Sequence, residues 1–172
     1  MKNIFAALAG ACLAFSVSTA IAADLTDPEI AHIAVTAGTI DVDAGNLALS
    51  KTTNDDVKAF AQQMVDDHTA VNDKAADLVK ELGVTPEDNA TSQALVEAAD
   101  AEKAKLEALD GAEFDKAYVD NEVAYHEQVI GALNDQLIPA TQNDQLKDFL
   151  QSGVTLFEGH LEHAKKIADE LK

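Results

Sequence analysis

One stretch of the chain, residues 54–82, repeats apolar side chains at alternating steps of four and three residues. This spacing is typical of an amphipathic α-helix that packs one face into a helical bundle. The position that should continue the pattern between Met64 and Val71 is His68. A buried imidazole without a partner costs roughly 1–3 kcal/mol, so we expect His68 to find a polar partner inside the bundle. The apolar series is Val57, Ala61, Met64, Val71, Ala75, Leu78 and Leu82.

The same spacing predicts three further long helices. They begin at Asp27-Pro28-Glu29, near Ala112 and at Asn143, and they extend to about residues 51, 137 and 171. A shorter helix over residues 91–109, with a thin apolar face, lies in the connection between the second and third long helices. Capping residues and Pro139 mark the helix ends, and no stretch resembles a strand. The sequence therefore predicts an all-α fold, a four-helix bundle in a single domain over residues 23–172.

The first 22 residues predict a signal peptide. A positive start at Lys2 precedes an apolar run, and Ala20-Ile21-Ala22 provides the small residues that a signal peptidase requires. A lipoprotein cut before Cys12 is disfavoured, because the position three before it is Ala9 and the chain beyond it stays apolar. Cys12 is the only cysteine, so the mature chain needs no disulfide. We expect export to the periplasm and no membrane span in the mature chain.

The charge of the chain excludes some classes of partner. The formal net charge is −19, and removal of residues 1–22 takes away Lys2, which leaves the mature chain more acidic still. There is no arginine. Nucleic acids and anionic membranes need clustered positive charge, so neither is an expected partner. The sequence names no protein partner, and it leaves homo-oligomerisation open.

Each of the four long helices carries one non-apolar side chain in its apolar face: Asp41, His68, His126 and His160. At about 1.5 Å per residue, all four lie roughly 17–21 Å from one end of an up-down-up-down bundle, and near mid-height in a crossover bundle. Three imidazoles and a carboxylate at one level suit a transition metal ion, Zn, Cu or Fe. The sequence therefore predicts a metal site. The alternative is a hydrogen-bonded polar layer that fixes helix register.

Other polar side chains lie near these positions. Glu122, one turn before His126, lies beside the predicted apolar face and is an additional candidate ligand. His163, one turn beyond His160, is a further candidate but is expected at the bundle surface. We expect Asp67 to orient a ligand or lie on the helix surface rather than to bind the metal. His32 falls off the apolar face and is expected in solvent. Because imidazoles must be neutral to bind, metal affinity should fall as the pH drops through about 6.5.

Four blocks of the chain resemble a known family. They are residues 41–49, residues 57–68, Phe114 to Tyr118, and Leu156 to Leu161 around His160. In order and spacing they are similar to the exported bacterial domain-of-unknown-function family 4142, whose members are often labelled only as membrane or outer membrane proteins. The resemblance implies a ferritin-like bundle with a crossover between the second and third long helices. It implies no activity. The family's usual Glu is matched here by Asp41, one methylene shorter.

A ferritin-like fold does not make the chain a ferritin. A di-iron carboxylate site takes a Glu-x-x-His motif from each of two helices. Three residues before the histidines, this chain has Val65, Val123 and Phe157 instead. No phosphate-binding loop or nucleophile elbow is present either. The leading hypothesis is a non-catalytic periplasmic metal-binding bundle, acting in metal handling or envelope stress. The alternatives are a structural or interaction bundle without metal, and a mononuclear metal redox enzyme.

Overall fold

A computed structural model of the chain describes residues 25–172, and the predicted signal peptide lies outside the described residues. The helices are α1 (Asp27–Lys51), α2 (Asp55–Leu82), α3 (Ala90–Glu107), α4 (Gly111–Ala132) and α5 (Asp144–Glu170). After Ala132 the chain of α4 continues through a π-helical segment, Leu133–Leu137, and a last helical turn, Ile138–Ala140. The predicted all-α bundle, with α3 as the additional helix in the connection, is confirmed.

Side-chain caps define where the long helices begin. Thr26 and Glu29 form a reciprocal capping box at the start of α1, so the cap is one residue earlier than the Asp27 that the sequence suggests. The side chains of Asn54 and Asn143 accept backbone hydrogen bonds at the starts of α2 and α5, as expected. Gly83 ends α2 in the left-handed conformation, with φ of 66°, which glycine adopts without strain.

One end of the bundle, here called the near end, is the end at which α1 begins. The backbone amides of Gln142 and Asn143 donate to the carboxylate of Asp27, at 2.8 and 2.9 Å. The amide of Glu87 donates to the carbonyl of Pro28 at 3.1 Å. The end of α2, the end of the α4 chain and the start of α5 therefore all lie at the near end.

The opposite, far end holds the end of α1 and the start of α4. The ammonium of Lys51 donates to the carbonyl of Glu107 at 2.9 Å and lies 3.0 Å from the carboxylate of Asp110. Helix α3 thus carries the chain from the near end back to the far end, and α2 and α4 run in the same direction. This is the crossover topology implied by the family resemblance, not an up-down-up-down bundle.

The two ends of the bundle hold separate apolar clusters with a polar layer between them. The near cluster consists of Ile30, Ile33, Leu133, Leu137, Leu146, Leu150 and Phe157. The far cluster consists of Ala48, Val57, Phe60, Ala61, Met64, Leu106, Phe114, Tyr118, Val119, Ala164 and Ile167. Within residues 25–172, no helix has both the length and the hydrophobicity needed to cross a membrane.

The C-terminal part of α4 differs from the sequence prediction. Pro139 is expected to end the helix near Leu137, but the chain stays helical to Ala140 by widening into a π-helical segment first. Proline has no amide hydrogen and cannot donate the hydrogen bond of a regular helical turn. The π-helical segment before Pro139 is a local change in the helix that allows for this missing bond. The Thr141 hydroxyl then donates to the carbonyl of Leu137 at 2.7 Å and closes the turn.

A close approach between α1 and α2 depends on Gly45. A Cβ added at Gly45 would lie 2.8 Å from Cγ2 of Val65 and 3.0 Å from the backbone oxygen of Ala61, which cannot rotate away. We expect Gly45→Ala to lower the free energy of unfolding by about 1–3 kcal/mol. Gly159→Ala is the matched control, since a Cβ there meets nothing within 4 Å and the helix propensity improves. Equal urea midpoints for Gly45→Ala and wild type would contradict the prediction.

Candidate metal centre

The polar layer brings together five side chains from four helices. Asp41, His68, Glu122, His126 and His160 are each at most 3% exposed, although all are polar or ionisable. Counted from the near end of their helices, Asp41, His68 and His126 are each 14 residues in and His160 is 16. At about 1.5 Å per residue these positions share one height, roughly 21–24 Å from that end.

The carboxylate of Asp41 lies between two of the histidines. Its Oδ2 atom is 3.3 Å from Nε2 of His68 and 3.6 Å from Nε2 of His126. Two donors that bind one ion tetrahedrally at ~2.0–2.1 Å are about 3.3–3.4 Å apart. The Asp41 carboxylate and the two imidazoles are therefore spaced like neighbouring ligands of a single ion.

The potential ligand atoms form two overlapping groups. One atom from each of His68, His126 and His160 lies within 4.8 Å of the other two, and so does one atom from each of Asp41, Glu122 and His126. His126 belongs to both groups. The carboxylate of Glu122 lies 3.6 Å from Nδ1 of His126, whereas the carboxylate of Asp41 lies on the Nε2 side of the same ring.

Two of the histidines are held by hydrogen bonds that leave the other ring nitrogen free. Nδ1 of His126 donates to the carbonyl oxygen of Glu122 at 3.0 Å, so Nε2 is the free nitrogen. Nε2 of His160 donates to Oδ2 of Asp67 at 2.9 Å, so Nδ1 is the free nitrogen. A hydrogen bond to the second ring nitrogen fixes the tautomer and orientation that a metal-binding histidine needs. His68 is positioned instead by stacking on Phe157, with ring centroids 5.0 Å apart.

The free nitrogens and carboxylate oxygens have no partner in the protein. Buried polar atoms in native proteins are nearly always hydrogen-bonded, so a group of unpartnered atoms at one place requires an explanation. Within the described residues, the unpartnered buried atoms of this layer are Oδ1 and Oδ2 of Asp41, Nδ1 and Nε2 of His68, Oε2 of Glu122, Nε2 of His126 and Nδ1 of His160.

Burial disfavours the charged forms of both carboxyl groups. It raises the pKa of Asp41 to about 7 from the ordinary 3.8. Burial, together with the neighbouring charge of Asp41, raises the pKa of Glu122 well above its usual value. Two carboxylates this close in a low-dielectric core both ionise only if a cation compensates them.

Burial also keeps the imidazoles neutral. Burial, together with the neighbouring His126 and His160, lowers the pKa of His68 to about 3. Burial lowers the pKa of His126 to about 4, although its hydrogen bond to the backbone of Glu122 acts in the opposite direction. The pKa of His160 is lowered by burial as well, against the opposing charge of Asp67. The imidazoles are thus in the metal-binding form at neutral pH. An ion that bound here would displace protons from Asp41 and Glu122 rather than from the histidines.

The other histidines do not join the layer. Nδ1 of His163 donates to Oε1 of Gln63 at 3.0 Å, and its ring packs edge-on against Phe60. His32 lies partly buried on α1, with Nδ1 3.4 Å from the hydroxyl of Thr36. The side chain of Asp67 is 37% exposed and contacts the layer through His160.

Glu122 lies inside the bundle and not beside its apolar face as the sequence predicts. Glu122 is buried, whereas the neighbouring Val123 is only partly buried. The signal was present, because Tyr118, Glu122 and His126 follow one another at steps of four. Tyr118 is fully buried and its hydroxyl has no hydrogen-bond partner.

Comparisons with known proteins agree with this fold. The family model described as "Domain of unknown function (DUF4142)" matches residues 13–167, which confirms the resemblance found in the sequence. The chain is similar to a DUF305 "putative secreted protein" from Streptomyces coelicolor, with 12% identity, a TM-score of 0.66, and coverage of 84% of this chain and 91% of that one. A DUF305 fragment from Deinococcus radiodurans gives 11% identity, a TM-score of 0.70, and 84% and 97% coverage. Such identities show a shared fold alone. No curated protein matches the chain.

The pKa shifts predict how the stability of the metal-free protein depends on pH. The raised pKa of Asp41 means that its contribution to stability is full below pH 3.8 and is lost as the pH rises through about 7. The lowered pKa of His68 means that its contribution is full above pH 6.5 and is lost as the pH falls through about 3. At pH 8, Asp41→Asn should therefore stabilise the metal-free protein, by about 1–4 kcal/mol at ~1.4 kcal/mol per pKa unit.

The measurement is urea unfolding in the presence of a chelator at pH 5 and pH 8. Asp43→Asn, an exposed position on the same helix, is the control and should change stability little at either pH. A metal-free Asp41→Asn protein that is less stable than wild type at pH 8 would contradict the assigned charge cost.

Proposed function

The chain belongs to the DUF4142 family, and we propose that it is an exported protein that binds one divalent transition-metal ion in the core of its bundle. Asp41, His68, His126 and His160 are the proposed ligands, and Glu122 is an additional candidate that is grouped with Asp41 and His126. The observation that carries the proposal is the set of buried donor atoms, from four helices, that have no partner in the protein.

The charge of the layer supports a divalent ion. Three neutral imidazoles contribute no charge, and ionised Asp41 and Glu122 contribute two negative charges. A dication would leave the buried layer neutral overall, whereas a monovalent or trivalent ion would leave a net charge in the core. The mixed imidazole and carboxylate donors suit Zn²⁺, Cu²⁺ or Fe²⁺.

The rival interpretation, a polar layer that only fixes the register of the helices, accounts less well for the unpartnered atoms. A register layer works by satisfying its own hydrogen bonds, as a half-satisfied network is worse than an apolar core. Here both oxygens of Asp41 and both nitrogens of His68 lack a partner. One ion would bind the Asp41 carboxylate and one nitrogen of His68, and would leave only the second nitrogen of His68 without a partner.

The proposed location is the periplasm, reached through a cleaved signal peptide at residues 1–22. A similar solved structure is described as a "putative secreted protein", which is in keeping with export. A metal-binding bundle in that compartment would act in metal handling or envelope stress. No catalytic residues are proposed.

Metal analysis of protein purified without an affinity tag tests the ion itself. We expect about one Zn, Cu or Fe per chain. In His68→Ala we expect less than a tenth of that amount, because α2 would then supply no ligand and only three of the four proposed ligands would remain. His163→Ala is the matched control, since its ring pairs with Gln63 away from the layer, and it should retain the metal. A wild-type protein that takes up no metal, and whose melting temperature no chelator or added metal alters, would favour the register layer.

A second variant tests the orienting role of Asp67. Removing its hydrogen bond to His160 in Asp67→Asn should lower metal affinity by about 10- to 100-fold, although Asp67 is not a proposed ligand. The control is Asp66→Asn, where the neighbouring exposed carboxylate accepts only from Gln62 on the same helix. Competition titration against a chromogenic chelator measures both. Equal affinities for the two variants would exclude a role of Asp67 in holding His160.

A further inference from the structure

A network of hydrogen bonds leads from the polar layer toward the surface between α2 and α5. Nε2 of His160 donates to Oδ2 of Asp67 at 2.9 Å, and Nε2 of Gln63 donates to the same oxygen at 3.3 Å. The other end of the Gln63 amide, Oε1, lies 3.0 Å from Nδ1 of His163. This α2–α5 network therefore begins at the buried ring of His160 and ends at the half-buried ring of His163.

The spacing of the four residues along their helices brings them together. Gln63 and Asp67 are four residues apart on α2, so they lie on one face of that helix. His160 and His163 are three residues apart on α5 and share a face in the same way. The ring of His163 also packs edge-on against Phe60, a fully buried member of the far cluster, with ring centroids 5.3 Å apart. Packing in the core therefore holds both ends of the network.

The carboxylate of Asp67 fixes the direction of every hydrogen bond in the network. An ionised carboxylate only accepts, so the nitrogens of His160 and Gln63 that face it must both donate. The Gln63 amide then presents its oxygen to His163, and because an amide oxygen also only accepts, Nδ1 of His163 must carry a proton. In His160 the proton is on Nε2, which leaves the lone pair of Nδ1 free. The two histidines are thus held in opposite tautomers.

Asp67 needs a second contact to hold His160, because its carboxylate is partly exposed and can turn toward water. The donor from Gln63 reaches the same oxygen as His160 does, and so keeps that oxygen beside the ring. The neighbouring pair on α2, Gln62 and Asp66, has the same spacing and a hydrogen bond of 2.9 Å, but both of its side chains are exposed. The pair of Gln63 and Asp67 differs in being half-buried and joined to the polar layer.

We propose that Gln63 is a positioning residue of the metal centre, which holds the Asp67 carboxylate against Nε2 of His160 and so keeps Nδ1 of that ring free for the ion. Gln63 does not contact the ion itself. The effect on the ion rests on the proposed function, whereas the hydrogen bonds and the tautomers do not require a metal. Loss of His163 leaves the bond from Gln63 to Asp67 in place, so the His163→Ala protein still retains its metal.

A double-mutant cycle tests whether Gln63 acts through Asp67. Gln63→Met keeps a long side chain with a similar helix propensity but removes the donor, and it should lower metal affinity about 3- to 10-fold, the effect of roughly one hydrogen bond. In an Asp67→Ala background the same substitution should change the affinity less than about twofold, because its acceptor is already absent. Gln62→Met is the matched control and should leave the affinity unchanged. Circular dichroism and melting confirm that each variant is folded.

Nitrogen-15 NMR of the metal-free protein at pH 8 tests the network without the ion. In the wild type we expect the proton of His160 on Nε2 and the proton of His163 on Nδ1. In Gln63→Met, His163 loses its acceptor and should become a mixture of tautomers, and the Nε2 proton of His160 should exchange with water at least about threefold faster. Gln62→Met should alter neither ring.

The two experiments separate this inference from the proposed function. A wild-type protein that binds no metal but shows these changes in the NMR spectra would contradict the metal centre and support the role of Gln63 in holding Asp67. Exchange of the His160 proton that is unaltered in Gln63→Met, or an equal loss of metal affinity with and without the Asp67 carboxylate, would overturn the role of Gln63.

Discussion

The structure depends on a layer of buried polar groups that the protein does not satisfy by itself. An ionised carboxylate in a low-dielectric core is expensive unless a cation or a proton compensates it. The apolar clusters on either side stabilise the bundle by burying apolar surface. The polar layer between them destabilises the bundle, because its polar groups lose their contact with water. The same loss of water raises the pKa values of Asp41 and Glu122 and lowers those of His68 and His126.

The sequence predicted the helices and four members of the layer because both follow from one period. A polar side chain that interrupts an apolar series must be buried, and Asp41, His68, His126 and His160 each do so. Glu122 was ranked lower because Val123 offered an apolar alternative on the adjacent position of the same turn. Only the family resemblance predicted the direction of α4. The equal heights of the four polar side chains are compatible with both an up-down-up-down bundle and a crossover bundle. The π-helical segment and the hydrogen bonds between α2 and α5 have no sequence period, because they depend on how the helices pack.

The spacing of Glu122 and His126 separates this site from a di-iron carboxylate site of the ferritin-like type. There, Glu and His three residues apart both face the metal. Here the separation is four residues, and the backbone carbonyl of Glu122 accepts the hydrogen bond from Nδ1 of His126. The histidine therefore turns its Nε2 toward Asp41. One carboxylate per hairpin and three imidazoles favour a single ion over a pair bridged by several carboxylates.

The crossover by α3 also bears on the order in which the molecule assembles. Asp41 and His68 belong to the α1–α2 hairpin, and His126 and His160 belong to the α4–α5 hairpin. Each hairpin consists of neighbours in sequence and can form with little loss of loop entropy, whereas joining the two requires the long connection to close. The complete donor set exists only after that last step. An ion held there would therefore act on the docking of two preformed halves, and it would slow their separation more than it would speed the formation of either one.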